Sequence, residues 1–394
     1  MRLDVIANAL LAANTTATLA SKAGCANKTR ILSKTRILMS GEGSIMLGAV
    51  KAAGAGIDIK LNHTTKGVPS WLAFRAPDTL FALDEAGTEL RALSVDLDRF
   101  TVTERGAVAA SAGLVHLALT QGGKRMLGAA YGNGSVDVWD VADAAKVKRL
   151  ASVRLPAGRL GPNKERQDKS HPHQIVPDGP DGRFVAVPDL GTDTVHILAA
   201  TGAGYKLAGH VAVEPPGCGP RHGAFYPPGP APATHFMVLC EMMNLVNVYA
   251  VDRRRHGLAM TLVQSISSFG PGVPHPKAAA GELALGPDGN DVYVSNRLTE
   301  GPDDHIAHFR VARPAGGHPK LEFVAQQPSH GRNPRMFSLT GDGALVLVAN
   351  GKGEAGIWGM QRNGATGALS PAPLWNITMA RFAGKGPQFV QQIR

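Results

Sequence analysis

One short phrase recurs five times along this chain. Each copy has His, Arg or Glu near its start, then an apolar run, a Gly-rich turn and a second apolar run ending in a polar residue. The copies occupy residues 115–131, 172–189, 221–241, 281–297 and 334–350. Runs rich in Val, Leu and Phe predict strands, and Asp181-Gly182, Asp288-Gly289 and Asp342-Gly343 predict hairpin turns between them. Repeats of roughly 45 to 60 residues built from paired strands are typical of a β-propeller, whose blades surround a central channel.

The number of copies predicts seven blades. Residues 70–85 form a weaker copy, and residues 388–390 open another copy that lacks its partner strand. The seven openings lie at Trp71, His116, His173, His222, Glu282, Arg335 and Phe389. Residues 35–50 are typical of a strand, a turn and a strand, so we expect the N-terminal segment to complete the last blade and remove an exposed sheet edge. An array of β-sandwiches fits less well, because no Pro/Ser-rich linkers separate the repeats.

We interpret residues 31–394 as a single all-β domain, a seven-bladed β-propeller with few helices. Residues 1–30 are interpreted as a leader or a disordered segment. Residues 5–13 are apolar and residues 18–20 resemble a signal cleavage site, whereas Asp4 and Asn8 argue against a signal peptide. Cytoplasmic and secreted locations both stay open, as does the oligomeric state. No run is long and apolar enough to span a membrane, so we expect no membrane partner.

The chain has a formal net charge of +10. Its basic residues are dispersed, and no stripe interleaves aromatic residues with Lys and Arg, so we expect no nucleic-acid partner. A positive balance suits small anionic molecules. The three cysteines, Cys25, Cys218 and Cys240, are too few for a disulfide framework and lack zinc-site spacing, so we expect neither metal nor cofactor. Cys218 and Cys240 belong to one blade and either pair or stay small buried residues.

Polar residues mark the channel end of each repeat. The second strands end at Glu85, Tyr131, Asp189, Glu241, Arg297 and Asn350, and the openings carry His116, His173, Arg221, His222, Glu282 and Arg335. Guanidiniums bind carboxylate or phosphate through a planar fork and stabilise an oxyanion, and Glu or His moves a proton. This combination predicts lactone hydrolysis, or addition of a carboxylate to a double bond. Structural roles stay open throughout, above all for His116 and Glu282, and Asp189 is interpreted as a turn-former.

Four segments together resemble the seven-bladed propeller lactonases of the cycloisomerase 2 family. This family includes propeller-type 6-phosphogluconolactonase and fungal 3-carboxy-cis,cis-muconate cyclase. The most specific segment is residues 161–198, GPNKERQDKSHPHQIVPDGPDGRFVAVPDLGTDTVHIL, and CGPRHGAFYPPG, AGELALGPDGNDVYVSNR and GRNPRMFSLTGDGALVLVAN follow in the expected order. The resemblance covers residues 72–390 and implies the seven-bladed fold and metal-independent lactone chemistry. One departure is Cys240-Glu241-Met242, which replaces the usual Asn-Glu-Leu.

The resemblance implies that the catalytic residues are His173, Arg221, Glu241 and Arg297. From the polar ring we add His171, His222, Glu282 and Arg335 as substrate-binding residues. In this hypothesis Arg221 and Arg297 hold anionic groups and developing charge, while Glu241 and His173 share the proton transfer, one of them as orienter. The expected partner is a small anionic lactone or carboxylate. We interpret the protein as a muconate-type cyclase, with 6-phosphogluconolactonase-type hydrolysis and a non-catalytic binding propeller as alternatives.

Overall fold

The computed structural model describes residues 35–51, 56–179, 181–202, 204–272 and 275–393. The 28 strands among these residues form seven four-stranded antiparallel sheets, as the repeats predict. Residues 1–30, interpreted above as a leader or a disordered segment, lie outside the described residues. The chain therefore has the all-β, seven-bladed architecture expected from its sequence.

The strand bounds follow the chain blade by blade. The first blade contains β1 (Arg36–Gly41), β2 (Ser44–Val50) and β3 (Ile57–Thr64), joined by the last strand, β28 (Pro387–Ile393). The second contains β4 (Leu72–Arg75), β5 (Thr79–Leu83), β6 (Glu89–Asp96) and β7 (Thr101–Ala109). The third contains β8 (Leu114–Thr120), β9 (Arg125–Ala130), β10 (Ser135–Asp140) and β11 (Lys148–Arg154). The fourth contains β12 (Val176–Pro177), β13 (Phe184–Asp189), β14 (Thr194–Thr201) and β15 (Gly204–Ala212).

The remaining three blades continue in the same order. The fifth contains β16 (Pro220–Tyr226), β17 (His235–Cys240), β18 (Leu245–Arg254) and β19 (Gly257–Ser267). The sixth contains β20 (Ala279–Leu285), β21 (Asp291–Arg297), β22 (His305–Ala312) and β23 (Lys320–Pro328). The seventh contains β24 (Arg332–Leu339), β25 (Leu345–Lys352), β26 (Ala355–Gln361) and β27 (Trp375–Thr378), followed by a 3₁₀ turn at Met379–Arg381.

The two ends of the chain share the first blade. β28 pairs antiparallel with β1, with Met39 opposite Val390 and Ser40 opposite Phe389. The strand order β28-β1-β2-β3 gives the last strand the innermost place in a sheet otherwise made from the N-terminal segment. This confirms the closure predicted from the unfinished copy at residues 388–390, and it leaves the ring without an open blade.

Apolar side chains between adjacent blades form the core. Met237 and Val248 of the fifth blade share a buried cluster with Leu283 and Phe309 of the sixth. Each such side chain stabilises the fold by roughly 1.5–3 kcal/mol when it is fully buried. Because both faces of a blade pack against neighbours, the seven sheets support one another around the ring.

The hairpin turns follow the sequence prediction. Gly182, Gly289 and Gly343 have φ values of 55°, 67° and 65°, the left-handed conformation that Gly adopts without steric cost.

Cys218 and Cys240 form a disulfide with a Cα–Cα distance of 4.8 Å, so these two cysteines of one blade pair instead of staying free buried thiols. Within the described residues, no helix has the length and apolar character needed to cross a bilayer.

Candidate active site

The inner strands carry β-bulges where the site residues lie. In β16 the register shifts between Pro220 and His222, which leaves Arg221 without a partner on β17. A similar shift in β24 leaves out Arg335, and one in β20 falls at Glu282. Adjacent residues of a regular strand point to opposite faces, whereas a bulge re-aims a side chain. The bulge in β16 therefore lets two neighbours, Arg221 and His222, take part in one site.

Three guanidiniums surround the carboxylate of Glu241 at the end of β17. Its Oε1 accepts a hydrogen bond of 2.7 Å from Nη2 of Arg166. Its Oε2 lies 2.9 Å from Nε of Arg221 and 3.3 Å from Nη2 of Arg297. Arg221 also donates from Nη1 to the backbone carbonyl of Gly281 at 2.5 Å. These contacts fix the guanidinium planes relative to one carboxylate.

The charges of this cluster are unbalanced. Burial alone would raise the pKa of Glu241, but Arg297, Arg221 and Arg166 outweigh it and hold that pKa at about 2. Burial, with a smaller contribution from Arg297, lowers the pKa of Arg221 to about 9. All three guanidiniums and the carboxylate are therefore charged at neutral pH. Three cations against one anion leave an excess of positive charge that attracts an anionic ligand.

A carboxyl–imidazole pair lies beside this cluster. Nδ1 of His222 lies 2.5 Å from Oε1 of Glu282, and both side chains are buried. Burial raises the pKa of Glu282 to about 8, against the opposing charge of Arg221, and burial and Arg221 keep the pKa of His222 well below its usual value. Oε1 of Glu282 already accepts the N–H of Leu283 at 3.0 Å. We assign a second N–H, from Nδ1 of His222, to that oxygen, which leaves Nε2 of His222 with a lone pair.

A narrow cavity opens onto these groups at the channel. Its lining includes His173, His222, Arg221, Trp71 and Arg335, and it has room for about one water molecule. The rings of His173 and His222 are 5.1 Å apart in an edge-to-face arrangement. Burial, followed by the charge of Arg221, keeps the pKa of His173 well below its usual value, so its imidazole is neutral. Nδ1 of His173 is buried and has no partner among the described residues.

Arg335 lies at another side of the same cavity. Its Nη2 donates to both carboxylate oxygens of Glu85 at 3.0 and 3.1 Å, and its Nη1 donates to Oε1 of Gln388 at 3.3 Å. The side chains of Arg335 and Glu85 are 26% and 24% exposed, so this pair is more open to solvent than Glu241. Arg335 is thus a partly accessible cation near the buried cluster.

His171 lies close to the site with both ring nitrogens engaged. Nδ1 is 2.9 Å from the carbonyl oxygen of Tyr131, and Nε2 is 2.7 Å from Oδ1 of Asp168. Its ring stacks on that of Tyr131 at 4.2 Å. A substrate contact through either nitrogen would break one of these interactions. The geometry favours a supporting role for His171, which holds the Tyr131 ring in place.

Comparison with known proteins identifies the family. Residues 39–374 match the family described as Lactonase, 7-bladed beta-propeller. The chain belongs to this family. The lactonase propellers are an enzyme family, and the match includes Glu85, Arg221, Glu241 and Arg297.

Individual relatives carry lactonase names. A protein of Arthroderma benhamiae named "Probable 6-phosphogluconolactonase" is 32% identical over 241 residues, which are 60% of this chain and 59% of that protein. The 6-phosphogluconolactonase of Bacillus subtilis is 28% identical over 264 residues, 66% of this chain and 68% of that protein. The matched part of the chain thus spans less than two thirds of the Arthroderma relative.

A solved lactonase propeller shows the same fold. The periplasmic gluconolactonase of Pseudomonas aeruginosa superposes with a TM-score of 0.77 over 91% of this chain and 99% of its own, at 23% identity. This likeness supports the propeller architecture.

Two residues of this site were missed in the sequence analysis. Arg166 contacts Glu241 from a segment without strand periodicity, 75 residues away along the chain. Gln388, the second residue of β28, was placed in the opening of the last copy but not among the site residues. The one available signal for Arg166 was its place inside the most specific family segment, residues 161–198. By contrast, Oδ1 of Asp189 accepts the N–H of Gly191, two residues further on, at 3.0 Å, as expected of a turn-former.

Proposed function

We propose that this protein hydrolyses the lactone ring of a small anionic substrate, with 6-phosphogluconolactone as the first candidate. The observation that carries the proposal is the excess positive charge of the Glu241 cluster beside the neutral His222–Glu282 pair. Such a site combines an anion-binding group with a proton acceptor that is uncharged at neutral pH. The names of the Arthroderma and Bacillus relatives support hydrolysis over the muconate-type cyclisation that the sequence analysis put first.

The arginines divide between binding and catalysis. Arg166 is 44% exposed, so its guanidinium can meet a phosphate or carboxylate while it stays bound to Glu241. Arg297 is buried on the other side of the same carboxylate and adds to the positive field. Arg221 lines the cavity that has room for the attacking water, and it stabilises charge that develops on the carbonyl oxygen of a lactone bound at the mouth of this cavity.

His222 acts as the general base. Its Nε2 accepts a proton from a water molecule as the water oxygen forms a bond to the lactone carbonyl carbon. The tetrahedral oxyanion is stabilised by Arg221, the ring C–O bond then breaks, and the proton passes to the departing alkoxide to give the hydroxy acid. Glu282 orients His222, which is the arrangement expected for a base held by a third group. The neutral His173, 5.1 Å from His222, assists the return of the proton.

Glu241 has a different role from proton transfer. Its pKa of about 2 keeps it ionised at neutral pH, so it has no proton to donate and is a weak base. Of the two roles that the sequence hypothesis gave to Glu241 and His173, orientation suits Glu241. It aligns the three guanidiniums and reduces their mutual repulsion.

The test compares lactone hydrolysis by the wild type and an Arg221→Ala variant. Proton release is measured with 6-phosphogluconolactone and uncharged gluconolactone, and conversion of 3-carboxy-cis,cis-muconate is followed by the loss of its diene absorbance. We expect the wild type to prefer the phosphorylated lactone and the variant to lose roughly 100-fold or more in kcat, as when an oxyanion donor is removed. Arg254→Ala, at an exposed arginine of β18, is the matched control and should leave kcat unchanged.

Three results would contradict the proposal in different ways. Unchanged turnover in Arg221→Ala, with its fold verified by circular dichroism, would remove Arg221 from the chemistry. Conversion of the muconate alone would restore the cyclase interpretation. Binding of these anions without conversion would favour the non-catalytic propeller.

A further inference from the structure

We propose that the Cys218–Cys240 disulfide is a positioning element of the active site, which holds Arg221 against Glu241. Cys218 lies three residues before Arg221, and Cys240 directly precedes Glu241. The covalent link therefore joins the two short segments that carry the central ion pair. The inference rests on the proposed function only where its test uses turnover.

The disulfide lies next to the bulge that projects Arg221. Pro220 pairs with Cys240, and the regular register resumes only at His222, opposite Leu239. A bulge disrupts the ladder locally and leaves the extra residue without a cross-strand partner. Backbone pairing therefore does not constrain the strand at Arg221, the residue whose side chain must be placed most accurately.

Two backbone hydrogen bonds join the same two segments at this end of the blade. The N–H of Glu241 donates to the carbonyl of Gly219 at 2.8 Å, and the N–H of Met242 donates to the carbonyl of Cys218 at 3.1 Å. Both bonds join the same two segments as the disulfide. The disulfide therefore reinforces a short contact that lies beyond the regular pairing of β16 and β17.

Repulsion from the other guanidiniums acts on Arg221, although Glu241 attracts it. Arg166, Arg221 and Arg297 converge on the single carboxylate of Glu241, which cannot neutralise all three when no anionic substrate is bound. Like charges within a few ångströms in a partly buried site interact far more strongly than in water. A covalent link between the two segments keeps Arg221 beside Glu241 despite this repulsion, so the site is preorganised before substrate binds.

Both sulfur-bearing residues are fully buried, with 0% exposure. Their reduction takes two electrons and two protons, for example from dithiothreitol, and converts the S–S bond into two thiols. Disulfides of this kind form in oxidising environments. We therefore infer that the site reaches its active geometry only when the protein matures under oxidising conditions.

The experiment uses the full chain in a Cys25→Ser background, which removes the cysteine that is not part of the pair. The Cys218→Ala/Cys240→Ala variant is compared with this background for kcat, KM and hydrogen exchange of the Glu241 and Met242 amides. We expect kcat/KM for 6-phosphogluconolactone to fall about tenfold or more and exchange at both amides to accelerate at least tenfold. Circular dichroism should show that the β-sheet content is retained.

A second preparation covers the case in which the double variant does not fold. The Cys25→Ser protein is made in oxidising and in reducing cytosol, and free thiols are counted by mass spectrometry. We expect the reduced preparation to have low turnover that returns on oxidation to the disulfide. Circular dichroism of the reduced preparation separates the two roles: low turnover in a protein that keeps its β-sheet content supports positioning, whereas loss of the β-sheet content would show that the disulfide acts on stability instead.

The outcomes separate the inference from the proposed function. Unchanged kcat/KM and unchanged amide exchange without the disulfide would overturn the inference, even if the melting temperature falls. If the wild type hydrolyses none of the lactones, the proposed function fails. The exchange rates of the Glu241 and Met242 amides then decide by themselves whether the disulfide holds the two segments together.

Discussion

Two glutamates of the site have opposite charge states because of their neighbours. Glu241 contacts three guanidiniums and is ionised, with a pKa of about 2. Glu282 is equally buried but faces His222 and a backbone N–H, and its pKa is raised to about 8. Pairs of groups whose surroundings push their pKa values apart are typical of acid–base sites. The residue type alone gives no indication of which glutamate holds the proton.

The raised pKa of Glu282 predicts a loss of stability at mildly alkaline pH. Between pH 6.5 and 8 the unfolded chain has released this proton, while the folded protein still binds it. The contribution of Glu282 to the free energy of unfolding therefore falls as pH rises, by at most about 1.4 kcal/mol per pH unit. His116, His173 and His222 have lowered pKa values, so they add a contribution of opposite sign, which rises with pH near 6.5 while the unfolded chain loses these protons and is nearly complete by about pH 7.5.

Denaturant unfolding of the wild type and of Glu282→Gln at several pH values tests this prediction. Glu282→Gln keeps a neutral side chain of the same shape and removes the falling contribution, so the free energy of unfolding of the wild type should decline relative to that of the variant between pH 6.5 and 8. Glu85→Gln is the control: the pKa of Glu85 is lowered, so its contribution changes only below its usual value of 4.5. A constant difference between the wild type and Glu282→Gln across this window would show that Glu282 does not titrate there.

Among the secondary-structure elements, the strands could be predicted from the sequence, whereas the β-bulges could not. Apolar runs and Asp-Gly turns predict where a strand begins and which blade it belongs to. They do not show that β16 accommodates an extra residue at Arg221, because a one-residue shift leaves the composition of the run unchanged. The neighbours Arg221 and His222 would point to opposite faces in a regular strand. Their joint presence in the site was expected from the polar openings of the repeats, and for Arg221 also from the family resemblance, but not from the strand pattern.

The bulge in β20 predicts that a side chain at Gly281 will disturb the site. A Cβ added at Gly281 would lie 2.5 Å from Oγ of Ser295 and 3.0 Å from Cδ and Nε of Arg297. Gly281→Ala should therefore displace the Arg297 guanidinium and lower kcat/KM for the anionic lactone about tenfold or more. Overpacking should also lower the free energy of unfolding by roughly 1–3 kcal/mol.

The matched control for this prediction is Gly209→Ala in β15. A Cβ there meets no atom within 4 Å, so activity and stability should stay close to those of the wild type. Steady-state kinetics and thermal unfolding of the two variants provide the comparison. Equal kcat/KM values in Gly281→Ala and the wild type would mean that the strand shifts instead of Arg297.

At the scale of the whole molecule, the site exists only in the closed ring. Glu85 comes from the second blade, His173 precedes the fourth, and Arg335 and Gln388 come from the seventh and first. The repeat predicts that such positions converge, which is why most site residues could be named from the sequence. Arg166 could not, because its contact with Glu241 is made by a segment outside the repeat and depends on the path of that segment over the channel.

Closure by β28 predicts that the blades unfold as one unit. Phe389 is 1% exposed and contacts Trp71 of the next blade edge-to-face at 5.3 Å. Phe389→Ala should lower the free energy of unfolding by about 3–5 kcal/mol and shift a single transition, because every blade depends on its neighbours around the ring. Circular dichroism of the sheets and fluorescence of the tryptophans, which lie in several blades, should give coincident curves. Two separate transitions would show instead that the first blade opens while the other blades stay folded, and the ring would then be a set of partly independent sheets.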